Sequence, residues 1–237
     1  KGNLLLIPTP IAADTNDAIT TVQLKTILPK IRHFLSEDVR TCRRYLSSLK
    51  VYDTVETLDF SVLDKDTRET DLPRLLSPIM EGHDVGIMSE AGCPGIADPG
   101  ALAVRYAHRH GIRVVPMVGP SAIFLALMSS GLNGQRFAFH GYIPVQGMEA
   151  SRVIRDLARE SRQRDQTQIV IETPYRNNNL LQNLVKNLSP GTDLCVALDV
   201  TGSDEFIVTQ SVAKWKTNLP SLPKKPAVFL FLVRPED

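Results

Sequence analysis

The chain has 237 residues, 43% apolar and 22% charged, a composition that excludes disordered, collagenous and low-complexity classes. Its 27 Lys and Arg against 26 Asp and Glu leave a net charge of +1, so there is no global polyanion-binding signature. Three scattered cysteines, Cys42, Cys93 and Cys195, argue against a disulfide framework and a Cys-cluster zinc site, and no apolar run approaches the roughly 18 residues of a membrane span.

In chain order, Leu4-Leu5-Leu6-Ile7 reads as a buried strand stopped by Pro8-Thr9-Pro10, too short for a signal peptide. The opening Lys1 reads as a chain lacking its initiator Met. Residues 17–28 have helical spacing, 31–35 read as a second strand, and 38–49 as a helix with Arg and Lys on one side. The block from 51 to 100 carries eleven acidic and three basic side chains and reads as solvated loop and helix surface. A strand at 84–88 follows, then a helix at 99–110 with Gly111 at its C′ position, a strand at 113–118 and a helix at 120–130 stopped by Gly131.

Further on, strands are expected at 137–140 and 168–172, and helices at 149–161 and 175–188. Arg152, Arg155, Arg159 and Arg162 make one basic stripe on the first of these helices, readable as an exposed face or a phosphate contact. Segments 194–200, 205–212 and 227–233 follow one another with little helix between them, so they should pair antiparallel. The fold class is therefore α/β, in two α/β domains: 1–117 with a mostly parallel sheet and 118–237 with a mixed one.

The stretch Ser89-Glu90-Ala91-Gly92-Cys93-Pro94-Gly95-Ile96-Ala97-Asp98-Pro99-Gly100 lies between a strand and a helix. Its glycines and prolines set an unusual backbone path where open α/β sheets bind ligands. Pro8-Thr9-Pro10 and Gly119-Pro120-Ser121-Ala122 also follow strands, and the three loops could converge on one crevice. Neither a phosphate-binding P-loop nor Gly-x-Gly-x-x-Gly is present, which counts against P-loop hydrolases and Rossmann dehydrogenases. The five histidines show no metal-ligand spacing, and no metal site is expected.

Those loops, with Pro8-Thr9-Pro10-Ile11, Glu37-Asp38-x-Arg40, Ser130-Gly131-Leu132, Phe139-His140-Gly141-Tyr142-Ile143-Pro144 and Glu172-Thr173-Pro174-Tyr175-Arg176, resemble the tetrapyrrole-methylase superfamily of S-adenosylmethionine-dependent methyltransferases. Within it the chain is most similar to the 16S ribosomal RNA small-subunit methyltransferase I branch, which methylates a cytidine ribose 2′-oxygen. The resemblance implies a cofactor cleft between the two domains, a homodimer, and ribosomal RNA or the small ribosomal subunit as partner, while the sparse cysteines point to a reducing cytoplasm. It implies that Pro8 and Pro10 border the cofactor, and that Ser89, Glu90, Ala91, Gly92, Cys93 and Ile96 contact its methionine and ribose parts. Ser121 and Ala122 would lie on another side and Tyr142 near the adenine.

The chain departs from that branch at Ala12-Ala13, where Gly-Asn is usual, and at 198–206, where Arg-Glu-Leu-Thr-Lys is usual, and it resembles a shorter, divergent member. For catalysis the candidates are Glu37 and Asp38 as carboxylate base with Arg40 on a phosphate, against the plainer reading of Asp38 as a helix N-cap. Arg43 and Arg44 are further candidate phosphate contacts. The alternatives are a methyltransferase of the same fold with a small tetrapyrrole-like substrate, and a cofactor-binding protein without turnover.

Overall fold

The computed structural model describes residues 1–235. The chain divides into two compact units, Lys1–Ser121 and Ala122–Asp237. The first holds β1 (Leu4–Ile7), β2 (His33–Ser36), β3 (Asp59–Val62), β4 (Val85–Met88) and β5 (Val114–Pro116). They form one sheet in the order β3-β2-β4-β1-β5, parallel throughout. Helices α1 (Asn16–Ile19), α2 (Val22–Ile27), α3 (Val39–Ser48), α4 (Leu72–Leu75), α5 (Ser77–Met80) and α6 (Gly100–Arg109) lie in the connections.

Alternate side chains along each strand feed different faces. Leu5, Ile7, Phe34 and Met88 join one buried cluster, and Leu4, Leu35, Val85 and Ile87 the other. Such two-sided burial is why these strands read as unbroken apolar runs. Gly86 sits mid-sheet because a Cβ there would meet Ile7 and Phe34 at 2.5 and 3.1 Å. Pro116 is tolerated because β5 is an edge strand.

Two expectations need correction here. The helix expected over 17–28 is broken into α1 and α2, because Thr20 leaves helical backbone and the Thr21 side chain caps a new start by accepting from the Leu24 N–H. The acidic block expected as loop and helix surface contains β3, an edge strand whose residues are only partly covered, so no apolar run announces it.

The second unit holds β6 (Phe137–Tyr142), β7 (Thr167–Glu172), β8 (Asp193–Leu198), β9 (Phe206–Ser211) and β10 (Ala227–Leu232), with α7 (Ala122–Ser130), α8 (Gly147–Arg164), α9 (Asn177–Asn187) and α10 (Val212–Thr217). Its sheet runs β6-β7-β10-β8-β9 and is mixed: β6 and β7 are parallel, and β10 is antiparallel to both β7 and β8, as β9 is to β8. The short α10 inserts Trp215 into the core, where its indole N–H donates to the Leu194 carbonyl at 2.9 Å. Among the described residues no helix is long and apolar enough to cross a membrane.

Candidate functional site

In the first unit, β1 leads to β2 on one side and β4 leads to β5 on the other, so the chain reverses its winding between β1 and β4. Open α/β sheets usually bind ligands beyond the strand ends at such a reversal. Register makes the strand ends level: Met88 pairs with both Ile7 and Ser36. Pro8, Glu37 and Ser89 therefore step off the same edge of three adjacent strands.

The loops leaving that edge are tied together. Thr9 and Gly92 form an isolated bridge, each N–H donating to the other's carbonyl at 3.0 and 3.1 Å. Gly92 has φ +79°, and a Cβ there would lie 3.2 Å from both the Ile11 side chain and the Pro120 carbonyl. Gly119 is packed so closely on Pro8 that any Cβ would collide with its ring. The Ser89 hydroxyl donates to the Gly92 carbonyl, the Thr9 hydroxyl to the Ser89 carbonyl, and the Cys93 thiol to the Pro120 carbonyl at 3.2 Å. Asp98 holds the far side of the loop by accepting from the Gly95 and Gly100 N–H groups at 2.5 and 2.8 Å. Pro8, Pro10, Ser89, Glu90, Ala91, Gly92, Cys93 and Ile96 thus lie on this one loop cluster, with Glu90, Ala91 and Ile96 exposed. Ser121 ends the unit just beyond Pro120.

The site is electrostatically negative. Burial lifts the Glu37 carboxyl above the usual carboxylate value, and the charges of Glu90, Asp98 and Asp64 lift it further. Burial also raises Asp98, against its two backbone hydrogen bonds. Asp38 behaves oppositely. It caps α3, accepting from the Thr41 N–H, the Thr41 hydroxyl and the Arg40 N–H at 3.2, 3.0 and 2.8 Å, and these bonds hold its carboxyl low. Arg40 is exposed in the first turn of α3, whereas Arg43 is stacked over the Phe60 ring at 4.9 Å. Burial pushes the Cys93 thiol up, so it stays protonated at neutral pH and is a poor nucleophile.

Ala122 and Tyr142 belong to the second unit. Ala122 opens α7, and Tyr142 follows a bulge in β6 at Gly141, whose φ of +67° leaves the tyrosine 61% exposed. The basic stripe lies on α8 with all four arginines exposed, and Arg159 pairs with Asp156 at 3.3 Å. Sequence reasoning assigned no role to Thr9, Asp98 or Gly119. The Asp98 signal was legible as Asp-Pro-Gly before a helix, but the Thr9–Gly92 and Pro8–Gly119 contacts join segments about 80 and 110 residues apart, which no local pattern reports.

The fold is shared with solved methyltransferases. It superposes on a solved methyltransferase, CobJ, with a TM-score of 0.62 at 16% identity, covering 97% of this chain and 94% of that one. It also matches the uroporphyrin-III C-methyltransferase of Thermus thermophilus complexed with S-adenosyl homocysteine, with a TM-score of 0.54 at 17% identity over 98% and 97% of the chains. No protein-family profile matches the chain. Ribosomal RNA small subunit methyltransferase I of Escherichia coli O157:H7 is 30% identical over 207 residues, 87% of this chain and 68% of that protein. The protein of the same name from Xylella fastidiosa is 29% identical over 92% of this chain and 76% of its own length. The chain belongs to the ribosomal RNA small subunit methyltransferase I family.

Proposed function

We propose that this protein transfers a methyl group from S-adenosylmethionine to RNA of the small ribosomal subunit, with a ribose 2′-oxygen as acceptor. The observation that carries the reading is the level edge of β1, β2 and β4, from which Pro8, Glu37 and Ser89 emerge into one tied loop cluster. The residues fit the cofactor in shape and charge. Gly92 and Gly119 keep side chains out where loops touch, and Glu37, Glu90 and Asp98 make a negative field suited to a sulfonium and an ammonium.

When bound, the cofactor supplies a methyl group already activated on a positively charged sulfur. Pro8, Pro10, Ser121 and the Ser89, Glu90, Ala91, Gly92, Cys93 and Ile96 loop would hold it. Holding donor and acceptor in line is worth on the order of 7–11 kcal/mol in favourable cases. The Glu37 carboxylate would accept the proton of the ribose hydroxyl. Its raised pKa makes it the better base of the adjacent pair, while Asp38 anchors the first turn of α3 and so sets Arg40 to pair with a phosphate. The protein works as a homodimer in the cytoplasm. Phe124 and Met128 of α7, four residues apart and 56% and 78% exposed, form an apolar strip suited to a second copy, and the three cysteines are free thiols.

The test is calorimetric titration with S-adenosylmethionine, followed by methyl transfer to small subunits purified from cells lacking the protein. A new alkali-resistant ribose linkage is the expected product. Cofactor binding with no transfer to subunits or their RNA refutes the substrate, and no binding at all refutes the whole reading.

A further inference from the structure

Antiparallel pairing in the second unit puts Glu172, Ala227 and Leu198 side by side at one edge of the sheet. The segment that leaves β7 there, Thr173-Pro174-Tyr175-Arg176, has no part in the chemistry above. Glu172 is buried, with 8% exposure, yet it is a carboxylate, and burial of such a group requires partners. Its Oε1 accepts from the Thr173 N–H at 2.7 Å and from the Arg176 Nε at 3.1 Å. That bond uses only the inner nitrogen of Arg176. The two outer nitrogens of the half-exposed guanidinium are held in a fixed position with no protein partner among the described residues.

Beside it, the Tyr175 ring is turned outward, 79% exposed, and Lys224 lies over it with Nζ 5.2 Å from the ring centre. Lys224 is placed there by a clamp. The Asn177 amide donates to the Lys225 carbonyl at 2.7 Å, and Asn178 both donates to the Leu222 carbonyl and accepts from the Leu222 N–H. Lys225 is neutralised by Asp204 at 3.5 Å, so Lys224 keeps its charge for something else. An exposed aromatic ring with a lysine over it and a positioned arginine on the next residue matches what unpaired nucleic acid offers: a flat base and flanking phosphates. A duplex hides its base faces and offers only the phosphates.

We propose that Tyr175, Arg176 and Lys224 form a contact for single-stranded RNA, with a base stacked on the tyrosine and phosphates paired with the two cations. The choice of RNA as the polymer rests on the function proposed above. Fluorescence anisotropy of the whole chain with a short labelled oligoribonucleotide, single-stranded or annealed to its complement, tests it. Tyr175→Ala should weaken single-strand binding by about 5- to 150-fold. Tyr175→Phe should keep it, and Lys224→Gln should reduce the salt slope by about 0.7. Titration with S-adenosylmethionine should be unchanged in all three, which separates loss of the contact from loss of the fold.

Three results overturn the proposal: no single-strand binding by the unmodified chain, preference for the duplex, or equal affinity of Tyr175→Ala. A chain that methylates small subunits but ignores Tyr175→Ala sinks this contact alone. One that shows the Tyr175 effect but neither binds the cofactor nor transfers methyl sinks the function and keeps the contact.

Discussion

Gly119→Ala adds a single carbon where the 117–121 loop presses on Pro8. The new Cβ would overlap the Pro8 ring, and Gly119 is not in the left-handed region, so the whole effect is steric. Pro8 cannot give way easily. It is continuous with β1, paired on both sides, and is followed by Thr9, which is bridged to Gly92. A Cβ at 1.9 Å from the Pro8 Cβ means that the 117–121 loop must move outward by about 2 Å to reach ordinary contact at about 4 Å. Overpacking of this kind costs about 1–3 kcal/mol. For a unit of this size that lowers the melting temperature by on the order of 3–10 °C.

The larger effect is on function, since an ångström of misplacement can cost about 100-fold in rate. Gly134→Ala is the control, because a Cβ there meets nothing and its backbone is not left-handed. Thermal melting, cofactor calorimetry and methyl transfer should all be impaired in Gly119→Ala and unchanged in Gly134→Ala. Wild-type affinity and melting temperature in Gly119→Ala would refute the packing of these two loops and the site built on it.

Gly92→Val should abolish cofactor binding while circular dichroism stays native, because a branched side chain at positive φ enters the space between Ile11 and Pro120; retained affinity contradicts the cradle. Transfer by the wild type should fall as pH drops through the raised Glu37 pKa, because a base must be ionised, and Glu37→Gln should remove that inflection along with most activity. The same shift means that the folded state holds the Glu37 proton more tightly than the unfolded one, so between the two pKa values stability falls as pH rises; Glu37→Gln should flatten that slope in urea melts. Ser161→Ala should destabilise the second unit by about 1–3 kcal/mol, seen as a lower urea midpoint with unchanged slope, since it orphans the buried Val233 N–H that Ser161 accepts at 2.9 Å.

Local pattern alone was enough for the α/β class, the parallel first sheet and the antiparallel pairing of the last three strands. Two-sided burial writes itself as apolar runs such as Leu4–Ile7 and Ala227–Leu232, and a positive-φ turn writes itself as glycine, as at Gly92 and Gly95. Asp38 was legible as both cap and carboxylate, and only coordinates separate it from Glu37: one side chain turns onto its own helix, while the other shares a negative site with Glu90 and Asp98. Edge strand β3 and the Thr20–Thr21 break stayed hidden, because half-covered residues and side-chain caps carry weak periodicity. The level ends of β1, β2 and β4, the Thr9–Gly92 bridge and the lysine over Tyr175 belong to tertiary structure alone. Register and long-range packing are settled by the free energy of the whole sheet, and residues that meet across 40 or 80 positions leave no trace in the spacing of either segment.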